Sequence, residues 1–222
     1  MIPPTQNAAF VAAMEDVLEL YHRAYDERFP VVCMDEEPVQ LVKETRMPLP
    51  PQPGQPRRYD HHYERAGTAC VFLFTEPLGG WRRSSVSERR TGVDWAQQMQ
   101  ILLETDYAQA QKVIVVCDNL NTHKIGSFYE AFAPALARRL VERLEIHHTP
   151  KHGSWLNVAE CELSVLSRHC LRTRTGSIEV LRQNVTAWQG ERNERQCAVE
   201  WHFTTDDARI RLKRLYPQYQ VA

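Results

Sequence analysis

Short runs of β-branched apolar residues alternate along the chain with longer stretches in which apolar positions recur every three or four residues. The clearest run, 113–116, reads Val-Ile-Val-Val and leads through a cysteine to Asp118, which is typical of a strand buried on both faces. An apolar segment that begins at Pro30 leads in the same way to Asp35. Because an unpaired buried charge is costly, each acid is expected either to cap a turn or to meet a positive partner.

The same patterns predict the other elements of the chain. After an N-terminal helix come three strands, then helix, strand, helix and strand, and finally three helices. This order is typical of an α/β fold with a mixed five-stranded sheet and flanking helices, whose ligands gather at the carboxyl ends of the strands. The predicted strands are Pro30 to Asp35, 68–76, 81–89, 113–118 and 144–148, and the predicted helices are 8–25, 91–107, 127–140, 156–171, 178–194 and 205–215.

A proline-rich segment interrupts this pattern between the first two strands. Five of the ten residues from 47 to 56 are prolines, which predicts an extended loop without packed structure. We interpret the segment as an excursion between two strands of one sheet, because what precedes it is too short to form a domain.

Composition narrows the class of protein. With 222 residues, 43% of them hydrophobic and 25% charged, the chain has enough apolar surface for one sizeable core, which excludes wholesale disorder. The net charge of -1 hides clusters of arginine, such as Arg82-Arg83 and the RIRLKR segment at 209–214. Such clusters suit a partner with a phosphate backbone, although a solvated helix face explains each of them equally well.

The cysteines and the N-terminal sequence indicate the cellular compartment in which the protein is expected to act. The six cysteines form no C-x-x-C pair, which favours free thiols in a reducing environment. The N-terminus lacks the pattern of a signal peptide, and no apolar run approaches the ~20 residues that span a bilayer. We therefore expect a soluble cytoplasmic protein without membrane contact. The spacing of His147, His148, His152 and Cys161 fits no closed zinc motif.

A third acid is expected on the helix after the last strand. The helix carries one apolar stripe, with Glu160 on one flank of the stripe and Glu162 on the other, and periodicity cannot choose between them. Alternation along a strand likewise leaves Glu37 beside Asp35 as a candidate, because the two share one face.

Three carboxylates at one sheet edge have a chemical consequence. They repel one another in a partly desolvated pocket, and hard cations such as Mg²⁺ or Mn²⁺ relieve that repulsion. Two such ions about 4 Å apart activate a water and stabilise the leaving oxygen of an in-line displacement at phosphorus. The residues alone thus leave two interpretations of these acids open. They either perform metal-dependent phosphodiester chemistry or only cap loops.

Several blocks of sequence resemble the DDE transposases of bacterial insertion sequences related to mariner, insertion-sequence family 630. The resemblance implies an RNase H-like fold and a catalytic and metal-binding trio of Asp35, Asp118 and Glu160, since the family's Leu-Asn-x-x-Glu arrangement selects Glu160. It also implies two Mg²⁺ or Mn²⁺ ions, hydrolysis of DNA at the transposon ends, and strand transfer to target DNA. The blocks are VVCMDE, VIVVCDNLNTHK, HHTPKHGSWLNVAECELSVLSRHCL, WRRSSVSERRTGVDWA and FTTDDARIRLKRLYP.

The resemblance also implies a division of the chain and a set of partners. Residues 1–29 form an N-terminal helix and linker, 30–175 the catalytic core with its loop at 47–56, and 176–222 a C-terminal helical extension packing on the core. We expect a homodimer on DNA. Because family members carry helix-turn-helix domains ahead of the core, a separate recognition half is also expected. The alternatives are an RNase H-like nuclease and a catalytically silent DNA-binding or regulatory fragment.

Six polar or aromatic neighbours of the trio are candidate DNA contacts. Those after Asp118 either orient that acid, contact a phosphate, or serve turn chemistry. Those before the third acid include a lysine for a phosphate and a tryptophan that either stacks on a flipped base or packs at the start of the helix. The candidates are Asn119, Asn121, His123, Lys151, His152 and Trp155.

Overall fold

One mixed sheet of five strands organises the protein, whose computed structural model describes residues 2, 5–47, 49–55, 58 and 60–218. The strands are β1 (Val31–Glu44), β2 (Tyr63–Glu76), β3 (Trp81–Ser87), β4 (Val113–Cys117) and β5 (Leu144–His148). Their order in the sheet is β3-β2-β1-β4-β5. β1 pairs antiparallel with β2 and parallel with β4, while β2 and β3 pair antiparallel and β4 and β5 parallel. The predicted α/β class and mixed five-stranded sheet are therefore confirmed.

Helices flank the sheet, and none in the described part of the chain is long and apolar enough to cross a bilayer. The single helix predicted over 127–140 is instead two helices, because Pro134 has no N–H to continue a helix and begins a new one. The helices are α1 (Ala8–Tyr21), α2 (Gly92–Ile101), α3 (Gly126–Ala131), α4 (Pro134–Glu142), α5 (Val158–Cys170), α6 (Ile178–Glu194) and α7 (Thr205–Arg211).

β1 continues well past the acid that was expected to end it, so the prediction that Asp35 closes a strand is wrong. The ladder between β1 and β4 stops at Cys33 and Val116, whereas β1 pairs with β2 as far as Glu44. This second half of β1 includes Pro38. A proline is tolerated there because no strand lies on the β4 side to receive an N–H.

Alternation along the central strands builds a core on each face of the sheet. Val113, Val115 and Cys117 of β4 face Trp95 of α2 and the neighbouring helices α3 and α4. The intervening residues of β4 face α1 and the start of α5. Every residue of β4 is buried, which confirms the prediction of a strand enclosed on both sides. The six cysteines are free thiols, and the three on the central strands, Cys33, Cys70 and Cys117, are buried.

The proline-rich segment is exposed wherever it is described. Two isolated bridges, Leu49 with Arg58 and Gln52 with Gln55, join its two arms. Pro48 and Pro56 of the predicted 47–56 loop lie outside the described residues. The proposed boundaries at 29/30 and 175/176 stay predictions.

Candidate active site

The two strand acids lie side by side, just past the end of the parallel ladder. Asp35 and Asp118 each follow the last ladder pair, Cys33 and Val116, by two residues. The backbone N–H of Glu36 donates to Oδ1 of Asp35 at 2.7 Å. Because β1 and β4 run parallel, Asp35 and Asp118 lie at the same end of their ladder, although Asp35 stays paired with Leu73 of β2.

Asn157 brings the third acid to that end of the ladder. Its Oδ1 accepts from the N–H of Ala159 at 3.1 Å, which caps the start of α5, and its Nδ2 donates to the carbonyl of Met34 at 2.9 Å and to Oδ2 of Asp35 at 3.3 Å. One amide therefore fixes the first turn of α5 to β1, and Glu160 lies in that turn. Asn157 was not predicted to be a site residue, although an asparagine three residues before an acid is a signal for the start of a helix.

The charges of the three acids act on one another. Burial raises the pKa of Asp35 to about 7, and the negative charges of Asp118 and Glu160 contribute in the same direction. Burial also raises the pKa of Glu160, again with a contribution from Asp118, while a hydrogen bond from Ser154 opposes the shift. Within the described part of the chain, no lysine or arginine forms an ion pair with any of the three. The imidazole of His123, 2.6 Å from Asp118, relieves part of their mutual repulsion.

The acids form an open arrangement rather than a closed cage. Asp35, Glu37 and Glu160 line a cleft of about 360 Å³. Among the described residues, no group of three or more His, Cys, Asp or Glu side chains is close enough to enclose a metal ion. Like-charged carboxylates without a counterion are expected to stand apart in this way, and their hard oxygen atoms are the donors that Mg²⁺ and Mn²⁺ prefer. The donor set therefore fits a hard divalent cation.

Glu162, the competing acid on α5, is fully neutralised elsewhere. Its side chain is 2% exposed, and its Oε2 lies 3.0 Å from Nε of Arg82. Arg192 of α6 donates to both of its oxygens, at 2.9 and 2.7 Å. Glu162 therefore faces β3 and α6 and contributes to packing. Glu37 remains in the cleft with Asp35, one strand repeat farther from the end of the β4 ladder.

His123 lies in the interior and has no exposed surface with which to contact DNA. Its Nε2 is 2.9 Å from Oε1 of the buried Glu36, and its Nδ1 is 2.6 Å from Oδ1 of Asp118. The same nitrogen also faces the Asp118 carbonyl oxygen, at 3.3 Å. Burial opposes charge on the ring, but hydrogen bonds to Asp118, Cys117 and Glu36 outweigh it and raise the pKa of His123 to about 12.

Of the expected DNA contacts after Asp118, the two amides keep an exposed position. Asn119 and Asn121 lie on the exposed turn after β4, where Lys124 donates to Oδ1 of Asn121 at 2.8 Å. The sequence did not identify Glu36 as a partner of His123. Strand alternation is the signal that separates it from Asp35, since it directs the two side chains to opposite faces of β1.

The loop between β5 and α5 holds the remaining candidates. Lys151 and His152 are exposed there, and His152 has a φ of 67°, which few residues other than glycine adopt. Trp155 is instead half-buried, with its ring stacked on Trp201 at 6.5 Å and edge-on to Phe203 at 5.8 Å. These contacts place Trp155 in packing at the start of α5 rather than at a surface where a base can stack.

The fold and the acids at its edge are those of an RNase H-like nuclease domain. The chain belongs to the DDE superfamily endonuclease family, whose sequence pattern matches residues 30–182. A search of curated proteins found no match.

Solved structures similar to the chain include three of the Mos1 transposase. The paired-end complex with the left transposon end has a TM-score of 0.59 at 18% identity, over 98% of this chain and 66% of that chain. The strand transfer complex has a TM-score of 0.60 at 18% identity, over 95% of this chain and 62% of that chain. The mariner Mos1 paired-end complex with Mg has a TM-score of 0.57 at 19% identity, over 98% of this chain and 66% of that chain. At this identity the likeness establishes the fold, and the chain spans slightly under two thirds of the Mos1 chains.

Proposed function

We propose that this chain is the catalytic domain of a DNA transposase of the insertion-sequence 630 type. It would hydrolyse phosphodiester bonds at transposon ends and then join the freed 3′-hydroxyl to target DNA. The observation that carries the proposal is that Asp35, Asp118 and Glu160 converge just past the β1–β4 ladder of a DDE endonuclease chain, where no lysine or arginine of the described residues pairs with them. The family-630 assignment rests on the sequence blocks around these acids.

The three acids are proposed to hold two divalent cations, Mg²⁺ or Mn²⁺. Such ions, when bound, activate a water and stabilise the leaving oxygen during displacement at phosphorus. In this proposal Asp35 and Asp118 would be shared between the ions, and Glu160 would bind the second ion. Asn157 keeps Asp35 oriented through its amide, and Ser154 does the same for Glu160 through its hydroxyl. Mos1 paired-end complexes solved with Mn and with Mg support the choice of metal.

DNA is the proposed substrate and partner. The similar Mos1 structures include a paired-end complex with the left transposon end and a strand transfer complex, which supports transposon ends and target DNA as ligands here. Asn119, Asn121, Lys151 and His152 are exposed in the loops that follow Asp118 and precede α5, and they are the proposed phosphate contacts. A homodimer on paired ends and a separate helix-turn-helix recognition half complete the proposal. The buried free thiols suit the reducing cytoplasm, where the protein is proposed to act.

The test uses duplexes that carry the ends of the DNA element encoding the chain, with Mn²⁺, the recognition half supplied separately, and a target plasmid. The wild type is expected to cleave the ends and join them to the plasmid. Asp118→Asn is expected to lose about a thousandfold in rate or more, since a metal-held transition state is stabilised by several kcal/mol and each 1.36 kcal/mol is tenfold. Asp206→Asn, at an exposed acid on α7, is the matched control.

Three outcomes separate the candidate functions. Cleavage without joined product identifies a plain nuclease. Absence of both reactions, with DNA binding retained, identifies a silent regulatory fragment. Equal rates for the wild type and Asp118→Asn remove Asp118 from the mechanism.

A further inference from the structure

At Asp35, β1 is still paired with β2, but it is no longer paired with β4 at that level of the sheet. Hydrogen bonding between β1 and β4 ends at Cys33 and Val116, two residues before Asp35 and Asp118. No ladder bond therefore fixes the distance between the two carboxylates. On one side of the sheet, Asn157 holds Asp35. The position of Asp118, at the end of β4, depends instead on contacts from the loop that follows this strand.

His123 bridges this gap between the two strands. Its Nδ1 lies 2.6 Å from Oδ1 of Asp118, and its Nε2 lies 2.9 Å from Oε1 of Glu36, the residue next to Asp35 on β1. The ring joins the end of β4 to β1 at the point where backbone pairing stops. Both nitrogens face acceptor oxygens, so both must donate, and only the imidazolium has two N–H groups.

The surroundings of the ring leave it one position. His123 is fully buried and stacks on Trp95 of α2, with ring centroids 5.5 Å apart. The loop around it is fixed by the Ser127 hydroxyl, which donates to the carbonyl of Thr122 at 3.0 Å. Gly92 of α2 packs so closely that a Cβ there would lie 2.6 Å from Oγ of Ser127. The ring is thus packed between Trp95 of α2 and the loop that follows β4.

Glu36 is costly to keep buried, which indicates that it has a role. Its side chain is 3% exposed, and its Oε2 has no hydrogen-bond partner in the described part of the chain. A buried carboxylate with an unsatisfied oxygen needs an explanation beyond packing. The side chain of Asp118 is 35% exposed, and because its Oδ1 is buried beside His123, the exposed part of the carboxylate includes its other oxygen.

We propose that His123, backed by Glu36, is a positioning residue that holds Asp118 at a fixed place relative to Asp35 in the absence of a strand ladder. The inference rests on the proposed metal-dependent function of these acids. The ring turns one oxygen of Asp118 inward and leaves the other for a cation. Residues that orient a metal ligand from behind typically contribute 10–100-fold to metal affinity or activity.

The experiment compares Glu36→Leu, Glu36→Gln and His123→Phe with the wild type. His123→Phe keeps the ring stack on Trp95 and removes both donors. Glu36→Leu removes the acceptor, whereas Glu36→Gln keeps an amide oxygen for Nε2. Ser127→Ala is the matched control, because it removes a hydrogen bond from the same loop without touching Asp118 or Glu36. The readouts are Mn²⁺ affinity of the free protein by calorimetry, Mn²⁺ half-saturation of DNA cleavage, metal-free DNA affinity and thermal melting.

We expect Mn²⁺ affinity to fall about 10–100-fold in Glu36→Leu and His123→Phe, while DNA affinity stays that of the wild type. Glu36→Gln should restore most of the metal affinity, and Ser127→Ala should lower the melting temperature alone. If His123→Phe does not fold, the comparison of Glu36→Leu with Glu36→Gln decides the question.

Two results overturn the inference while the proposed function stands: wild-type Mn²⁺ affinity in folded Glu36→Leu, or a fall in DNA affinity without a change in metal affinity. A wild type that neither binds Mn²⁺ nor cleaves DNA overturns both.

Discussion

Glu160 and Glu162 are two residues apart on α5, yet their carboxylates have opposite surroundings. Glu162 is enclosed by the guanidinium groups of Arg82 and Arg192. Glu160 is partly exposed, has no basic side chain paired with it, and lies near enough to Asp118 for that charge to raise its pKa after burial has done so. The cause is helical geometry, since positions two apart point about 200° from each other around the axis.

The contrast separates a structural acid from a functional one. A buried carboxylate with two arginines has its charge balanced and most of its oxygen lone pairs occupied, so it needs nothing further. Acids that repel one another without a counterion are costly, and such perturbed groups in a cleft mark functional sites. The unbalanced charge at Asp35, Asp118 and Glu160 is what a cation would neutralise.

The largest expected effect is the loss of cleavage in Glu160→Gln. Removing one ligand should lower the cleavage rate about a thousandfold, equivalent to roughly 4 kcal/mol of transition-state stabilisation. The melting temperature should stay the same or rise, because the substitution removes repulsion. Glu37→Gln, in the same cleft, is the matched control and should keep most of the activity. An equal loss in the control would make Glu37 a ligand.

Glu162→Gln should lower the stability of the fold rather than the cleavage rate. The change leaves Arg82, 1% exposed, without its charge partner, which typically costs about 3–5 kcal/mol of unfolding free energy. Chemical denaturation measures the loss, and the activity per folded molecule should persist. Glu191→Gln, whose acid forms an exposed pair with Arg195 on α6, should cost under about 1 kcal/mol. Similar losses from both would contradict the role of burial.

A smaller effect is expected from pH, because Asp35 keeps part of its surface in water and salt screens it. Its folded pKa of about 7 exceeds the ordinary value of 3.8, so the protonated form is favoured in the native state. The metal-free protein should therefore lose stability as the pH rises from about 4 to about 7. Asp35→Asn should flatten this slope in melting curves. Mn²⁺ affinity should rise over the same range, because protons cease to compete.

The smallest effect concerns Glu15 on α1, an acid balanced at the surface. Burial opposes its charge, but hydrogen bonds from Arg209 and Tyr216 outweigh this and lower the pKa of Glu15. Its stabilising contribution is present above the ordinary value of 4.5 and is lost as the pH falls through the lowered value. Glu15→Gln at neutral pH should lower the melting temperature by only about 1–2 °C. A drop like that of Glu162→Gln would show that exposure does not separate the two acids.

Much of the fold was predictable because its signals are local. The β-branched run of β4, the five residues of β5 and the full length of α6 follow directly from apolar spacing and flanking turn residues. The end of β1 was predicted wrongly because its sequence does not show that the strand continues on β2 after its pairing with β4 has ended. The strand passes through Asp35 and Pro38, supported by β2 alone.

The site was less predictable, because its deciding contacts are distant in sequence. Periodicity left Glu160 and Glu162 equivalent, since the arginines that neutralise Glu162 come from β3 and α6. The burial of His123 depends on Trp95 and Glu36, and neither is close to it along the chain. A sequence pattern can identify acids at strand ends, but only the packed structure shows which of them remain without a counter-charge.

Asn157 makes assembly of the site depend on the synthesis and docking of α5. Its contact with the carbonyl of Met34 joins positions 123 residues apart, so this anchor cannot form until α5 has left the ribosome and docked on β1. A nascent chain that ends before α5 carries Asp35 and Asp118 but lacks both the anchor and the third acid. Such a nascent chain therefore has an incomplete site.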